Sequence, residues 1–360
     1  MKTHKHLFDQ VISFENLLLA SDRARKGKSK KVSTSAFDMN LECNLWQLHD
    51  ELSKQTYLPG PYREFTIYEY KKRLISAAPY RDRVVHHALC QIIEPLFDKT
   101  FIYDSYACRV GKGTHRAVDR YTKFARKNKY VLKCDIQKYF PSIDHLILKE
   151  IIKRKIKDDK VCWLIDLIID SSNPQEPVYL YFAGDELLTP IERARGIPIG
   201  NLTSQFFANL YLNSFDHFVK ETLGCKYYIR YVDDFVVLSN DKKWLWQIKK
   251  EMENYLSDLR LKIHPQKCSV SPVETGIHFL GYRVYPDHRR LRRENGYRFQ
   301  RKLKFLIREA DGLPEEKQHA YQSVQAWLAH ASHADTYGLQ KALLKNTEFE
   351  NIFNKLYGSW

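Results

Sequence analysis

The sequence has no CxxC pair and no Cys/His spacing typical of a zinc site, although it contains 7 cysteines. Their odd number and wide separation indicate reduced thiols in a reducing compartment rather than a disulfide framework. The chain also lacks a signal-peptide pattern and any apolar run approaching ~20 residues, so we expect no membrane span and a cytoplasmic location. No internal repeat or low-complexity tract is visible, which excludes a repeat protein.

Acidic residues are outnumbered, because 43 Asp and Glu stand against 58 Lys and Arg, giving a formal charge of +15. Aromatic residues are numerous for a basic protein, with 23 Tyr, 19 Phe and 6 Trp. Positive charge beside flat rings is typical of proteins that bind nucleic acid, in which cations meet phosphates and rings stack on bases. A basic globular protein without such a partner has the same composition, so composition alone leaves both readings open.

The hydrophobic pattern predicts a helical first part, a basic hairpin and a mixed α/β centre, followed by a helical segment. A run with six basic residues, 23–31, predicts a flexible arm that contacts phosphates, with a solvated loop as the alternative. Helices are predicted near 8–20, 41–53, 79–97, 144–156, 160–170 and 202–223, and over 286–360 after an arginine-rich stretch; the hairpin is predicted over 65–75.

Two adjacent aspartates, Asp233 and Asp234, interrupt the otherwise strand-like segment 228–239. The flanks are apolar, β-branched and aromatic, so both should be buried strands with the carboxylates at the tip of a hairpin. Two like charges held together in partly buried surroundings are unfavourable unless a cation neutralises them. A solvent-exposed Asp-Asp turn is the alternative, which the apolar flanks disfavour.

A third carboxylate, Asp135, ends the predicted strand 131–136, and Pro141 then turns the chain into a helix. Carboxylates from neighbouring strands can hold two divalent ions that stabilise the attacking and leaving oxygens of a phosphoryl transfer. Oxygen ligands of this kind suit Mg²⁺. Alone, Asp135 would be an ordinary strand-end residue, but beside Asp233 it predicts a metal site.

The order of these segments resembles that of the reverse transcriptases over roughly residues 60–285. The similar segments are RDRVVHHAL at 81–89, DSYACRVGKGTHRAV at 104–118, KCDIQKYFPSID at 133–144 (motif A), GIPIGNLTSQFFANLYLN at 196–213 (motif B), YVDDF at 231–235 (motif C), LRLKIHPQKCSV at 259–270 (motif D) and FLGY at 279–282 (the primer grip). The resemblance implies a right-hand polymerase of the α/β (α+β) class, with fingers, a palm of antiparallel sheet backed by helices, and an α-helical thumb.

The resemblance also assigns roles. Asp135, Asp233 and Asp234, with the main-chain carbonyl of Ile136, match the ligands of two Mg²⁺ ions, for which Mn²⁺ can substitute. Lys267 matches the motif D lysine, a candidate general acid for pyrophosphate. The residues matching the primer grip are Phe279, Leu280, Gly281 and Tyr282.

Further residues match the nucleotide-binding positions of the family. Phe140 matches the bulky gate beneath the sugar, where a 2′-hydroxyl would clash with the ring. Arg73, with Lys71 or Lys72, falls where basic residues clamp the triphosphate; for the two lysines a solvated charge is an equal alternative. Motif B contributes Ile199, Gly200 and Gln205.

Motif B departs from the commonest pattern, because Ile199 stands where most retroviral and intron-type enzymes have Gln. An aliphatic residue removes a hydrogen-bonding contact to the nascent base pair and should weaken discrimination against mispairs. This block is similar to that of the reverse transcriptases of diversity-generating retroelements, which copy a template RNA with errors at adenines and cooperate with a small basic accessory protein. The alternative is that Ile199 only tunes packing.

The resemblance therefore implies an RNA-directed DNA polymerase that copies a template RNA with errors as part of a diversity-generating retroelement. Its expected partners are that RNA, a DNA or RNA primer and deoxynucleoside triphosphates. An anti-phage defence enzyme or another group II intron-like bacterial reverse transcriptase is the second reading, and a non-catalytic nucleic-acid scaffold the third. The predicted domains are a basic extension (1–60), fingers (61–130), palm (131–285, with a fingers insertion around 157–195) and helical thumb (286–360).

Overall fold

A computed structural model describes residues 2–68 and 72–358. The chain divides into two compact units. The first comprises Met1–Lys112, Lys133–Val236 and Trp246–Ser269, and the second comprises Gly113–Leu132, Val237–Leu245 and Val270–Trp360.

Most of the described chain is helical. The α-helices are α1 (Phe8–Ile12), α2 (Phe14–Arg25), α3 (Val32–Met39), α4 (Leu41–Ser53), α5 (Tyr80–Asp98), α6 (Thr114–Ala125), α7 (Tyr139–Ser142), α8 (His145–Lys153), α9 (Asp159–Asp170), α10 (Thr189–Glu192), α11 (Leu202–Tyr211), α12 (Asn213–His217), α13 (Lys242–Asp258), α14 (Arg293–Ala310), α15 (Pro314–Ala331), α16 (Tyr337–Leu344) and α17 (Glu350–Tyr357). A π-helical turn, Phe218–Thr222, continues α12, and a 3₁₀ turn spans Val273–Thr275.

The strands form three sheets. They are β1 (Arg63–Tyr68), β2 (Lys72–Ala77), β3 (Tyr130–Asp135), β4 (Tyr228–Tyr231), β5 (Asp234–Ser239), β6 (Ser269–Pro272), β7 (Ile277–Phe279), β8 (Tyr282–Val284) and β9 (Arg289–Leu291). The sheet orders are β1–β2, β4–β5–β3–β6 and β7–β8–β9. The first is an antiparallel hairpin in which Arg63 faces Ala77 and Tyr68 faces Lys72, which confirms the predicted hairpin.

Helix α5 is the centre of the helical packing in the first unit. It starts after Pro79, whose fixed φ suits a helix start, and packs along α2. The side chain of Asn16 on α2 donates to the carbonyl of Ala88 at 3.0 Å. The helix continues through Pro95 to Asp98, close to the predicted bounds, because Ile93 and Phe97 on either side of the proline are buried in the core. Their burial offsets the backbone hydrogen bond that proline cannot donate.

The helical core of the second unit lies between α14 and α15. Phe299 and Trp327 stack with ring centroids 3.8 Å apart. Leu303, Leu306 and Val324 are buried beside them. Apolar residues at helical spacing therefore form a core here.

Four sequence predictions are wrong in detail. The helix predicted at 202–223 is α11 and α12 with a π-helical turn, and it is interrupted at Leu212. The helix predicted at 8–20 is two helices, because the Ser13 hydroxyl accepts from the Asn16 amide and caps α2. Part of the predicted arm 23–31 is the last turn of α2. The segment 286–360 is not wholly helical, because β9 pairs antiparallel with β8; three residues are too short to show a strand period.

Within the described residues, no helix is long and apolar enough to cross a membrane. The proposed division into fingers, palm and thumb remains a prediction.

Candidate active site

The three predicted metal-binding aspartates meet where two strands of one sheet end. Asp135 is the last residue of β3, Asp234 is the first of β5, and Asp233 lies in the short connection between β4 and β5. The amide of Ile136 donates to the carbonyl of Asp233 at 3.1 Å. This bond fixes the Asp-Asp tip beside the end of β3, so the structure brings together residues about a hundred positions apart in the chain.

The segment around Lys267 lies against the same strand end. The amide of His264 donates to the carbonyl of Asp135, and the amide of Gln137 donates to the carbonyl of Lys262, both at 2.8 Å. As a result the Lys267 Nζ lies 2.5 Å from the Asp135 Oδ1. Lys267, for which the resemblance implies a general-acid role, is therefore an ion-pair partner of a carboxylate.

Burial and mutual repulsion disturb the ionisation of the two tip carboxylates. Burial, reinforced by the charge of Asp135, raises the pKa of Asp233 to about 6. Burial, reinforced by Asp233 and Asp135 and opposed by Lys133, raises the pKa of Asp234 to about 7. One oxygen, Asp234 Oδ1, is buried without a hydrogen-bond partner. Such an atom is unfavourable unless something binds it.

Lys133 is a site residue that the sequence analysis missed. Its Nζ lies 3.5 Å from the Asp234 Oδ2. It precedes Asp135 by two positions on β3, so the alternation of side chains along a strand places both on the same face. That period-two spacing was the signal that could have identified it.

A buried arginine, Arg230, supports the Asp-Asp tip from within the first unit. Its guanidinium makes a bidentate pair with Asp216, with Nε–Oδ1 and NH2–Oδ2 distances of 2.7 and 2.6 Å. Its NH1 donates to the carbonyl of Val232 at 3.0 Å. Val232 has a φ of 55°, a left-handed conformation that is costly for a β-branched residue. The bond from Arg230 therefore holds the residue just before the aspartates in a strained conformation.

The motif B loop is tied to the end of β2. The carbonyl of Ile199 accepts from the amide of Ser76 at 2.9 Å. Asn201, another residue missed from sequence, accepts from the amide of Ala78 at 3.2 Å and donates to the carbonyl of Ser76 at 3.3 Å. Gly200 lies between them with a φ of 125°, and a Cβ there would lie 2.9 Å from the Ile75 Cγ2. Only glycine fits this close approach.

The other predicted nucleotide-binding residues are placed as follows. Arg73 and Lys72 are exposed on β2, and the charge of Arg73 is near enough to lower the pKa of Asp233. Lys71 lies outside the described residues. Phe140 is half-buried and meets the ring of Tyr139 edge-on, at 5.8 Å between centroids. Gln205 is exposed on α11.

The predicted primer grip belongs to the second unit and forms a tight turn between β7 and β8. Phe279 and Tyr282 are fully buried, so these side chains are part of its core. Leu280 and Gly281 have φ values of 47° and 92° and form the turn. Any contact with a primer would therefore come from the backbone or from the turn.

The donor chemistry of the site fits a hard divalent ion. Carboxylate oxygens are the ligands that Mg²⁺ prefers, and Asp234 Oδ1 is buried without a partner. Across residues 2–68 and 72–358, no three Asp, Glu, His or Cys side chains are arranged so that they could coordinate one metal ion without moving. Lys267 and Lys133 instead pair with two of the carboxylates, so metal binding requires these lysines to turn away.

Residues 66–284, more than half of the chain, match the family model described as "Reverse transcriptase (RNA-dependent DNA polymerase)". The chain belongs to the reverse transcriptase family. Membership, together with the mixed α/β architecture, confirms the predicted right-hand polymerase fold class. Reverse transcriptases bind a nucleic-acid template, so family membership also supports the interpretation that the basic, aromatic composition is that of a nucleic-acid-binding protein.

Two curated relatives are similar to this reverse transcriptase, and one of them is encoded by a group II intron. The chain is 26% identical to the protein YkfC of Escherichia coli, covering 74% of this chain and 78% of that protein. It is 25% identical to the group II intron-encoded protein LtrA of Lactococcus lactis, covering 58% of this chain and only 33% of LtrA. A solved structure of apo telomerase from Candida tropicalis has a TM-score of 0.47 at 15% identity, covering 68% of this chain and 59% of that one.

The buried ion pair generates a stability prediction. Replacing Arg230 with alanine leaves the Asp216 charge buried and unpaired, so we expect the free energy of unfolding to fall by about 3–5 kcal/mol. Urea denaturation measures this loss. The exposed Arg154 gives the matched control, Arg154→Ala, which should change stability by less than about 0.5 kcal/mol. Equal effects of the two substitutions would contradict the role given to Arg230.

The raised carboxylate pKa values predict a pH dependence of stability in the absence of divalent ions. A pKa raised in the folded state means that the folded chain holds the proton more tightly, so stability declines as pH rises from about 4 to about 7. Replacing Asp234 with asparagine removes the part of this pH dependence of stability that comes from Asp234. We expect the stability difference between the variant and the wild type to change by about 2.5 kcal/mol between pH 5 and pH 8, at about 1.4 kcal/mol per pKa unit.

Urea unfolding in a chelator at both pH values measures this change. The exposed Asp258 supplies the control Asp258→Asn, whose difference from the wild type should stay constant. Parallel pH curves for Asp234→Asn and the wild type would show that the carboxyl is not perturbed.

Proposed function

We propose that this chain is an RNA-directed DNA polymerase that adds deoxynucleotides to a primer 3′-hydroxyl. The observation that carries the proposal is the Asp233–Asp234 tip bonded to the end of β3, with a buried carboxylate oxygen lacking a partner. A nucleic-acid scaffold gains nothing from clustered carboxylates, which repel phosphate. A polymerase needs them to hold the cations that bind phosphate.

Asp135, Asp233 and Asp234, with the carbonyl of Ile136, are the proposed ligands of two Mg²⁺ ions. When bound, the ions neutralise the triphosphate, lower the pKa of the primer hydroxyl and favour departure of pyrophosphate. The raised pKa values of Asp233 and Asp234 imply that these carboxyls give up protons as a cation binds.

The remaining roles belong to side chains of the chain itself. Lys267 leaves Asp135 and delivers the proton of its Nζ to the departing pyrophosphate. The guanidinium of Arg73 binds triphosphate oxygens, for which its planar fork is suited. The ring of Phe140 excludes the 2′-hydroxyl of ribonucleotides. Each role follows from the resemblance, and the ion pair of Lys267 with Asp135 keeps the lysine close to the reacting groups.

The central prediction is that Asp233→Ala abolishes primer extension on an RNA template. Loss of a metal ligand removes stabilisation of the transition state, and we expect a decline of at least roughly 10³-fold. Asp258→Asn is the control and should extend the primer at the wild-type rate. Normal extension by Asp233→Ala would contradict the metal-ligand role of Asp233. No extension by the wild type with Mg²⁺ present would leave the non-catalytic scaffold as the remaining reading.

Within the family, we propose the type found in diversity-generating retroelements, with a small basic accessory protein as a further partner. Ile199 supports this type, because an aliphatic side chain cannot hydrogen-bond a nascent base pair. The similarity to LtrA supports the second candidate, an intron-like or defence enzyme. The DNA flanking the gene separates the candidates, since only a retroelement carries a template repeat beside a repeat that differs at adenines.

The retroelement proposal predicts that Ile199→Gln raises fidelity opposite template adenine. A restored hydrogen bond contributes about 0.5–1.5 kcal/mol, so misincorporation should fall by roughly 2- to 10-fold in a single-nucleotide primer-extension assay. Ile199→Leu is the matched control, because it keeps the side chain aliphatic and should keep the wild-type error rate. Unchanged errors in the Gln variant would remove this support.

A further inference from the structure

Two cysteines adjoin the proposed catalytic residues in the sequence and touch each other in the structure. Cys134 directly precedes Asp135, and Cys268 directly follows Lys267. Their Sγ atoms lie 2.9 Å apart. An S–S bond is about 2.05 Å long, so the two sulfurs have to approach each other by less than about 1 Å to form one. The exposed Cys43 and Cys108 lie elsewhere in the chain.

The backbones that carry the two thiols run side by side. Ile136 and Ile263 form an antiparallel bridge, and the His264 amide donates to the Asp135 carbonyl at 2.8 Å. Cys134 lies in β3, and Cys268 directly precedes β6, the strand next to β3 in the same sheet. Closure would therefore need little backbone movement.

The surroundings of the two thiols differ in a way that suits sequential oxidation. Cys134 is fully buried in β3, whereas Cys268 is partly exposed. An oxidant in solution therefore reaches Cys268 first. The hydrogen bond from Cys134, together with the charge of Lys249, lowers the pKa of the Cys268 thiol, which favours the nucleophilic thiolate.

We propose that Cys134 and Cys268 are a reversible redox pair that closes to a disulfide when a peroxide oxidises Cys268. The Cys268 sulfur attacks one peroxide oxygen, the O–O bond breaks, and the leaving hydroxide is protonated to water. Cys134 then attacks the sulfur of the resulting sulfenic acid; the S–S bond forms, the S–O bond breaks, and a second water leaves. Each thiol gives up one electron and its proton, and a dithiol reductant reverses the reaction.

The disulfide would restrain the proposed general acid. It ties the residue after Lys267 to the residue before Asp135, and so favours the Lys267–Asp135 pair observed at 2.5 Å. This consequence rests on the proposed polymerase function, in which Lys267 has to leave Asp135. Side chains alternate along β3, so Cys134 lies on the opposite face from Asp135. The bridge therefore acts without filling the site.

The bond itself is tested by treating the full chain with a stoichiometric amount of hydrogen peroxide, alkylating remaining thiols, and mapping peptides without reduction. We expect one linked peptide pair containing Cys134 and Cys268, a loss of two hydrogen atoms in the intact mass, and reversal by dithiothreitol. Cys268→Ala should lose the link, and Cys43→Ser should keep it. Alkylation of both thiols after peroxide, or sulfinic acid at Cys268 without a link, would overturn the proposal.

The consequence is tested by primer extension with the same preparations. We expect peroxide to slow nucleotide addition by the wild type at least roughly tenfold, since a general acid contributes about 10²–10⁴-fold, and dithiothreitol to restore it. Cys268→Ala should extend at one rate before and after peroxide. A linked enzyme at full rate would overturn the restraint on Lys267. A reduced wild type without activity would overturn the polymerase proposal, and the peptide map would still decide the disulfide.

Discussion

Three carboxylates at one end of a sheet repel one another, and the local structure of the first unit is arranged around that repulsion. Asp233 and Asp234 are buried enough for their pKa values to rise, and ammonium groups of Lys267 and Lys133 lie beside Asp135 and Asp234. Repulsion of this kind would open the strand ends if the backbone did not hold them. The bond from the Ile136 amide to the Asp233 carbonyl supplies part of that hold.

The remaining restraint on the strand ends comes from a buried ion pair in the core of the first unit. Arg230 and Asp216 are both fully buried, and such a pair is rarely the most stabilising choice for a core. The ion pair contributes here through the directions in which its guanidinium donates hydrogen bonds. The guanidinium has enough donors to satisfy Asp216 and still bind the Val232 carbonyl, so it links the core to the strained turn. A hydrophobic replacement could fill the volume but could not donate to that carbonyl.

Elements with a strong local signal were predictable from the sequence. Helix α4 has the predicted bounds, the hairpin β1–β2 has its basic residues, and the carboxylates meet because the segments around them have clear strand composition. Partnerships between distant residues were not predictable. Nothing in local pattern links Asn201 to Ala78, or Lys267 to Asp135, because such contacts depend on tertiary packing. Likewise β9 exists because β8 pairs with it.

The hydrogen bonds between the motif B loop and the end of β2 have an evolutionary consequence. Arg73 and Ser76 share one strand, and Ile199 is bonded to that strand through its carbonyl. With the roles proposed for Arg73 and Ile199, triphosphate binding and base-pair discrimination therefore depend on one hydrogen-bonded structural unit. Mutations that adjust substrate affinity through the hairpin would shift copying accuracy as well, so a lineage could not optimise the two traits independently.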